Sequence, residues 1–126
     1  MNEVRILGKL LNAQLDSLSE QSFPLGVTGK WIPTAVFITN VNVTGVAVNF
    51  LTYDAPGAPS TGRISGGGTI QAIGSPDDVQ NYNLIYGGVP GTGKSKVRTS
   101  NTAYLKMSSA LAAGATGDVY ILGVEL

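Results

Sequence analysis

Gly88-Val-Pro-Gly-Thr-Gly-Lys-Ser95 stands between a strand-like run, Asn81-Tyr-Asn-Leu-Ile-Tyr86, and two more, Ala103-Tyr-Leu-Lys-Met107 and Asp118-Val-Tyr-Ile-Leu-Gly-Val-Glu-Leu126. The reading of this stretch decides the fold. The octapeptide matches the phosphate-cradling loop of nucleotide hydrolases, in which glycines expose backbone N–H groups to phosphate, a lysine reaches the β and γ oxygens, and a hydroxyl holds magnesium. Such a loop must open a helix whose free N–H groups and dipole face the phosphates. The following residues, Lys96-Val-Arg-Thr-Ser-Asn-Thr102, are β-branched or capping types without an apolar stripe of helical period. The metal also needs an aspartate at the end of a second parallel strand. After Ser95 the only acids are Asp118, which begins a strand-like run, and Glu125. The stretch therefore reads as a glycine-rich hairpin loop followed by two strands that close a sheet, with P-loop NTP binding at 88–95 as a further alternative.

Bulk properties narrow the chemistry. A chain of 126 residues fits one domain able to bury its own core. It has no cysteine, hence no disulfide, thiolate metal site or cysteine nucleophile. It has no histidine either, which removes imidazole ligands and every triad or dyad that uses histidine as base. The 8 basic and 8 acidic residues cancel, so no global field draws nucleic acid or an acidic membrane surface. Charged residues are only 13% of the chain, about half the usual share. A surface so weakly charged suits a subunit that buries much of its exterior against other chains. No apolar run is long enough to span a bilayer, and the first residues lack the pattern of a secretory signal.

Read in order, Val4-Arg-Ile-Leu-Gly-Lys-Leu10 is either strand or short helix. Val4, Leu7, Leu11, Leu15 and Leu18 recur at helical spacing, whereas the β-branched pair Val4 and Ile6 around Arg5 favours a strand over Val4–Leu10. Residues 1–22 are thus expected to be an arm or first strand with its loop, and 23–126 a β-sandwich. Phe23–Val27 is a short extended piece at an edge, because Pro24 lacks a ladder donor. Trp31–Val41 and Val46–Tyr53 are the best strands of the first half, separated by a break at Asn40 and Asn42. Asp54–Gly62, rich in proline and glycine, is a surface loop. Arg63–Ser65 and Thr69–Ile73 are short strands, and Ser75-Pro-Asp-Asp78 is a turn. Strands recurring about every ten residues indicate an all-β sandwich or jelly roll in a single domain.

No residues stand out as catalytic, cofactor-binding or metal-ligating. Asp77 and Asp78 are adjacent and follow Ser75-Pro76, which makes them turn or cap residues instead of a glycosidase pair. Lys94, Lys96 and Arg98 fall in a segment without acids, and with Trp31 they are the candidate interaction surface. The plainer reading makes the lysines edge protection and the lone tryptophan core.

Val4-Arg-Ile-Leu-Gly-Lys-Leu10, Trp31-Ile-Pro-Thr-Ala-Val-Phe-Ile-Thr-Asn40, Thr52-Tyr-Asp-Ala-Pro56 with its glycine-rich continuation, Thr102-Ala-Tyr-Leu105 and Thr116-Gly-Asp-Val-Tyr-Ile-Leu-Gly123 occur in an order that resembles small jelly-roll proteins of tailed bacteriophages. Within that group the resemblance is to head decoration, or cement, proteins. It implies a homotrimer on the capsid exterior of the virion, made in the host cytoplasm, with the major capsid protein as partner. It implies no enzyme activity, cofactor, nucleic acid, membrane or small-molecule substrate. The alternative is a receptor- or glycan-binding jelly roll of a tail fibre or baseplate, acting through Trp31 or exposed tyrosines.

Overall fold

Alternation along the final strand sets the two faces of the first sheet: Val119 and Ile121 point into the core, while Tyr120, Leu122 and Val124 turn outward and are half-buried. The structure, a computed structural model, describes residues 3–65, 72–82 and 97–126. Its strands are β1 (Arg5–Gln14), β2 (Gln21–Pro24), β3 (Trp31–Thr39), β4 (Val46–Ala47), β5 (Phe50–Tyr53), β6 (Arg63–Ser65), β7 (Ala72–Ile73), β8 (Gln80–Tyr82), β9 (Thr102–Met107) and β10 (Thr116–Glu125). A single turn of 3-10 helix, Ser60–Gly62, precedes β6, and no α-helix occurs among the described residues.

The chain is an all-β domain of antiparallel sheets. One sheet has the order β1-β10-β3-β8, a second β2-β9-β5-β6, and β4 pairs with β7. Five pairings nest inside one another: β1 with β10, β2 with β9, β3 with β8, β4 with β7, and β5 with β6. Among the described strands, each joins two that are equally far from the ends of the series. Two further pairings, β10 with β3 and β5 with β9, complete the four-stranded sheets. Both sheets feed one apolar core: Leu7, Trp31, Val36, Ile38, Val119 and Ile121 from the first, and Phe23, Phe50, Ile64, Ala103, Leu105 and Met107 from the second.

The N-terminal segment resolves as a strand, and it runs to Gln14 instead of ending near Leu10. Residues of the expected arm therefore lie in the same sheet as the C-terminal strand. Leu7 and Leu15 are buried, but Leu11 and Leu18 are exposed, so the helical spacing has no structural counterpart. Val46–Tyr53 is interrupted at Val48 and Asn49, and its halves belong to different sheets. The strand beginning at Trp31 stops at Thr39 because Asn40 adopts a left-handed φ of 56°. The strands expected at 103–107 and 118–126 are both internal to their sheets.

Candidate functional site

Trp31 and Arg98 are interior residues, which corrects the expectation that they contribute to an interaction surface. The indole N–H of Trp31 donates to Ser100 O at 2.7 Å. Backbone bonds tie the same residue to Arg98 in both directions, at 3.0 and 2.8 Å. Arg98 is 1% exposed. Its Nη1 donates to Asp54 Oδ2 at 2.8 Å and to Gly62 O at 3.1 Å, and its Nη2 donates to Arg63 O at 2.8 Å. The guanidinium thus fastens the proline-rich loop after β5 to the entry of β6, and its charge is matched within the fold. Lys94 and Lys96 lie outside the described residues, as does Gly88–Ser95.

From Val97 to Asn101 the chain is irregular, with Arg98 bridged to Trp31. The acids following it are also committed. Asp118 accepts from Asn12 N at 2.8 Å and from Asn40 Nδ2 at 2.9 Å. Glu125 accepts from Thr28 N at 2.6 Å, the Thr28 hydroxyl at 2.9 Å and Arg5 Nη2 at 2.7 Å. The Thr28 amide and hydroxyl, with the Arg5 guanidinium, hold the Glu125 carboxyl below its usual pKa. Asp78 Oδ2 caps a turn by accepting from Gly74 N at 2.8 Å and Ser75 N at 3.1 Å, in keeping with the Ser75-Pro76 context. Among the described residues no group of three acidic, cysteine or histidine side chains is placed to hold a metal.

The outer face of the first sheet is the feature that polar patterning leaves unexplained. An antiparallel sheet with one wet face ordinarily alternates apolar inside with polar outside. Here the register sets Ile6 beside Leu122 and Leu122 beside Ala35, then Lys9 beside Tyr120 and Tyr120 beside Phe37, and finally Val124 beside Ile32. The first two rows run across β1, β10 and β3 and the third across β10 and β3, and their β10 and β3 members are half-buried instead of covered. A bulge keeps the rows in phase: Leu122 faces Ala35 and Gly123 faces Pro33, so Thr34 is an extra residue in β3. The result is a mostly apolar set of rows in which Lys9 is the charged residue, with Asp118, bonded to Asn12 and Asn40, in the row beyond, the kind of patch that marks a contact with another molecule.

At the β1 side this face runs into an open groove of about 490 Å³ lined by Ile6, Leu7, Gly8, Lys9, Pro24 and Tyr120. Among the described residues the Lys9 ammonium has no hydrogen bond or ion pair, whereas nearby Arg5 is already paired with Glu125 at 2.7 Å. The free edge of β1 is itself partly blocked. Gln21 bonds both Gln14 N and Gln14 O through its side-chain amide, each at 2.8 Å, and Gly26 N donates to Leu7 O at 2.7 Å. Association by simple strand addition is therefore obstructed there, and the face and groove are the more accessible surfaces. The face is not legible in the sequence, because outward apolar residues form rows only once the strands are in register. No protein-family model and no curated protein matches this chain.

Proposed function

We propose that this chain is a structural decoration, or cement, protein of a tailed-phage head, bound as a homotrimer to the capsid exterior of the virion after synthesis in the host cytoplasm. The observation that carries this reading is the apolar outer face of the β1-β10-β3-β8 sheet, which gives the subunit a surface suited to another protein. Its partners are its own copies and the major capsid protein. A jelly-roll sandwich is the finer fold reading, supported by five nested antiparallel pairings and two four-stranded sheets around one core. The role is mechanical instead of catalytic: apolar and hydrogen-bonded contacts across neighbouring capsid subunits stabilise the assembled shell, because the protein binds that state and not the dissociated one.

The test compares virions with and without this protein under heating and osmotic shock. Deletion should lower the temperature at which heads release their DNA, and adding back the purified protein should restore it. Equal stability of the two preparations would remove the bracing role. The glycan-binding alternative loses Trp31 to the core and would rest on half-buried tyrosines such as Tyr104 and Tyr120, with saturable signal on a glycan array as its signature.

A further inference from the structure

We infer that copies of this chain associate head to tail, the Ser75–Val79 turn of one copy seating in the Ile6–Lys9–Pro24–Tyr120 groove of the next; this contact rests on the homo-oligomer reading above. The two features lie at opposite edges of one sheet, since β1 and β8 are its outer strands among the described residues and Val79 immediately precedes β8. A contact between different patches is heterologous, and repetition of it closes a ring when the rotation permits.

The turn is built as a projection. Asp78 Oδ2 accepts from the backbone N–H groups of Gly74 and Ser75, Asp78 N donates to Ser75 O at 3.0 Å, and Asp77 N donates to Ser75 Oγ at 3.2 Å. Asn40 N, at the end of β3, donates to Pro76 O at 3.1 Å and fastens the turn to the sheet. It presents Val79, 60% exposed and the most exposed large apolar side chain among the described residues, beside the exposed Asp77. Among those residues the Asp77 carboxylate has no hydrogen bond or ion pair, because Asp78 and not Asp77 holds the turn.

The groove offers the complement. Its wall includes Ile6, 51% exposed, with Pro24 and Tyr120, and its open charge is the Lys9 ammonium. An apolar projection with one free carboxylate thus meets an apolar groove with one free ammonium. Neither charge is matched within its own described surroundings, and pre-ordering of the turn lowers the entropy lost on docking.

Sedimentation velocity of the full chain over a range of concentration and salt tests the contact with Lys9→Glu, Asp77→Lys, the double swap and Val79→Ser. Each single charge reversal should weaken association about tenfold at low salt, and the double swap should recover most of that loss. Val79→Ser should weaken association at high salt as well, where charge is screened. All three positions are exposed, so unchanged thermal melts are expected. An oligomer that forms equally well in both single reversals overturns this contact and leaves the oligomer reading standing. A chain that stays monomeric at every concentration overturns both.

Discussion

A guanidinium sealed inside an all-β core obliges its neighbours to answer its N–H groups, and Arg98 meets a carboxylate and two backbone carbonyls. Removing the side chain leaves Asp54, 14% exposed, without its cation and leaves the carbonyls of Gly62 and Arg63 without this donor. Arg98→Ala should therefore cost about 3–5 kcal/mol, read as a lower urea midpoint. Nothing in the sequence ties Arg98 to Asp54: the two are 44 positions apart, and the arginine sits in a basic run that reads as surface. Glu125 gives a test of opposite character because its pKa is lowered in the fold. The folded carboxyl holds its proton less tightly than the unfolded one, so its stabilisation is present above the ordinary carboxylate range. That stabilisation fades as pH falls through the range and on through the lower folded value. Denaturation of wild type and Glu125→Gln between neutral pH and pH 2 should show an advantage of wild type that shrinks below about pH 4. An advantage that grows with acid would contradict the assigned bonds to Thr28 and Arg5.

At the level of elements, β10 joins both neighbours in its sheet and supplies Val119 and Ile121 to the core. Val119→Asp places a carboxylate where the native residue is fully buried. With no partner there it should cost upwards of about 4 kcal/mol and leave the chain largely unfolded. A soluble variant with native circular dichroism and an unchanged melt would count against that placement. This strand was legible because its alternation is regular and rich in β-branched residues, and β9 was legible from its alternation, although Thr102 is its one β-branched residue. β1 was not. Register shifts between Ile6 and Gly8 and between Leu10 and Ala13 break its period of two, so its buried residues, Leu7, Gly8 and Ala13, do not alternate and leave the chance helical spacing of the leucines unopposed. The division between β4 and β5 was also hidden, because neither glycine nor proline marks Val48-Asn49. It is set by β4 pairing with β7 while β5 pairs with β9 and β6. The apolar outer face has the same origin: the half-buried residues form rows only once cross-strand register is known.

On the scale of the whole molecule, the nested pairings make nearly every contact long in sequence, and the outermost pair brings the beginning and end of the strand series together. Arg5 lies opposite Gly123, and its guanidinium binds Glu125. Local patterning could indicate strands and turns, but pairing the first strand with the last requires the complete chain to collapse around one core. Mechanical load meets this arrangement unequally according to where it is applied. Tension that separates Arg5 from Glu125 breaks their ion pair and then unzips β1 from β10 one ladder bond at a time, a weak geometry. Force entering broadside through the outer face of the sheet is carried instead by the packed core between the sheets, so the same fold is soft when pulled by its ends and stiff when pressed on its face.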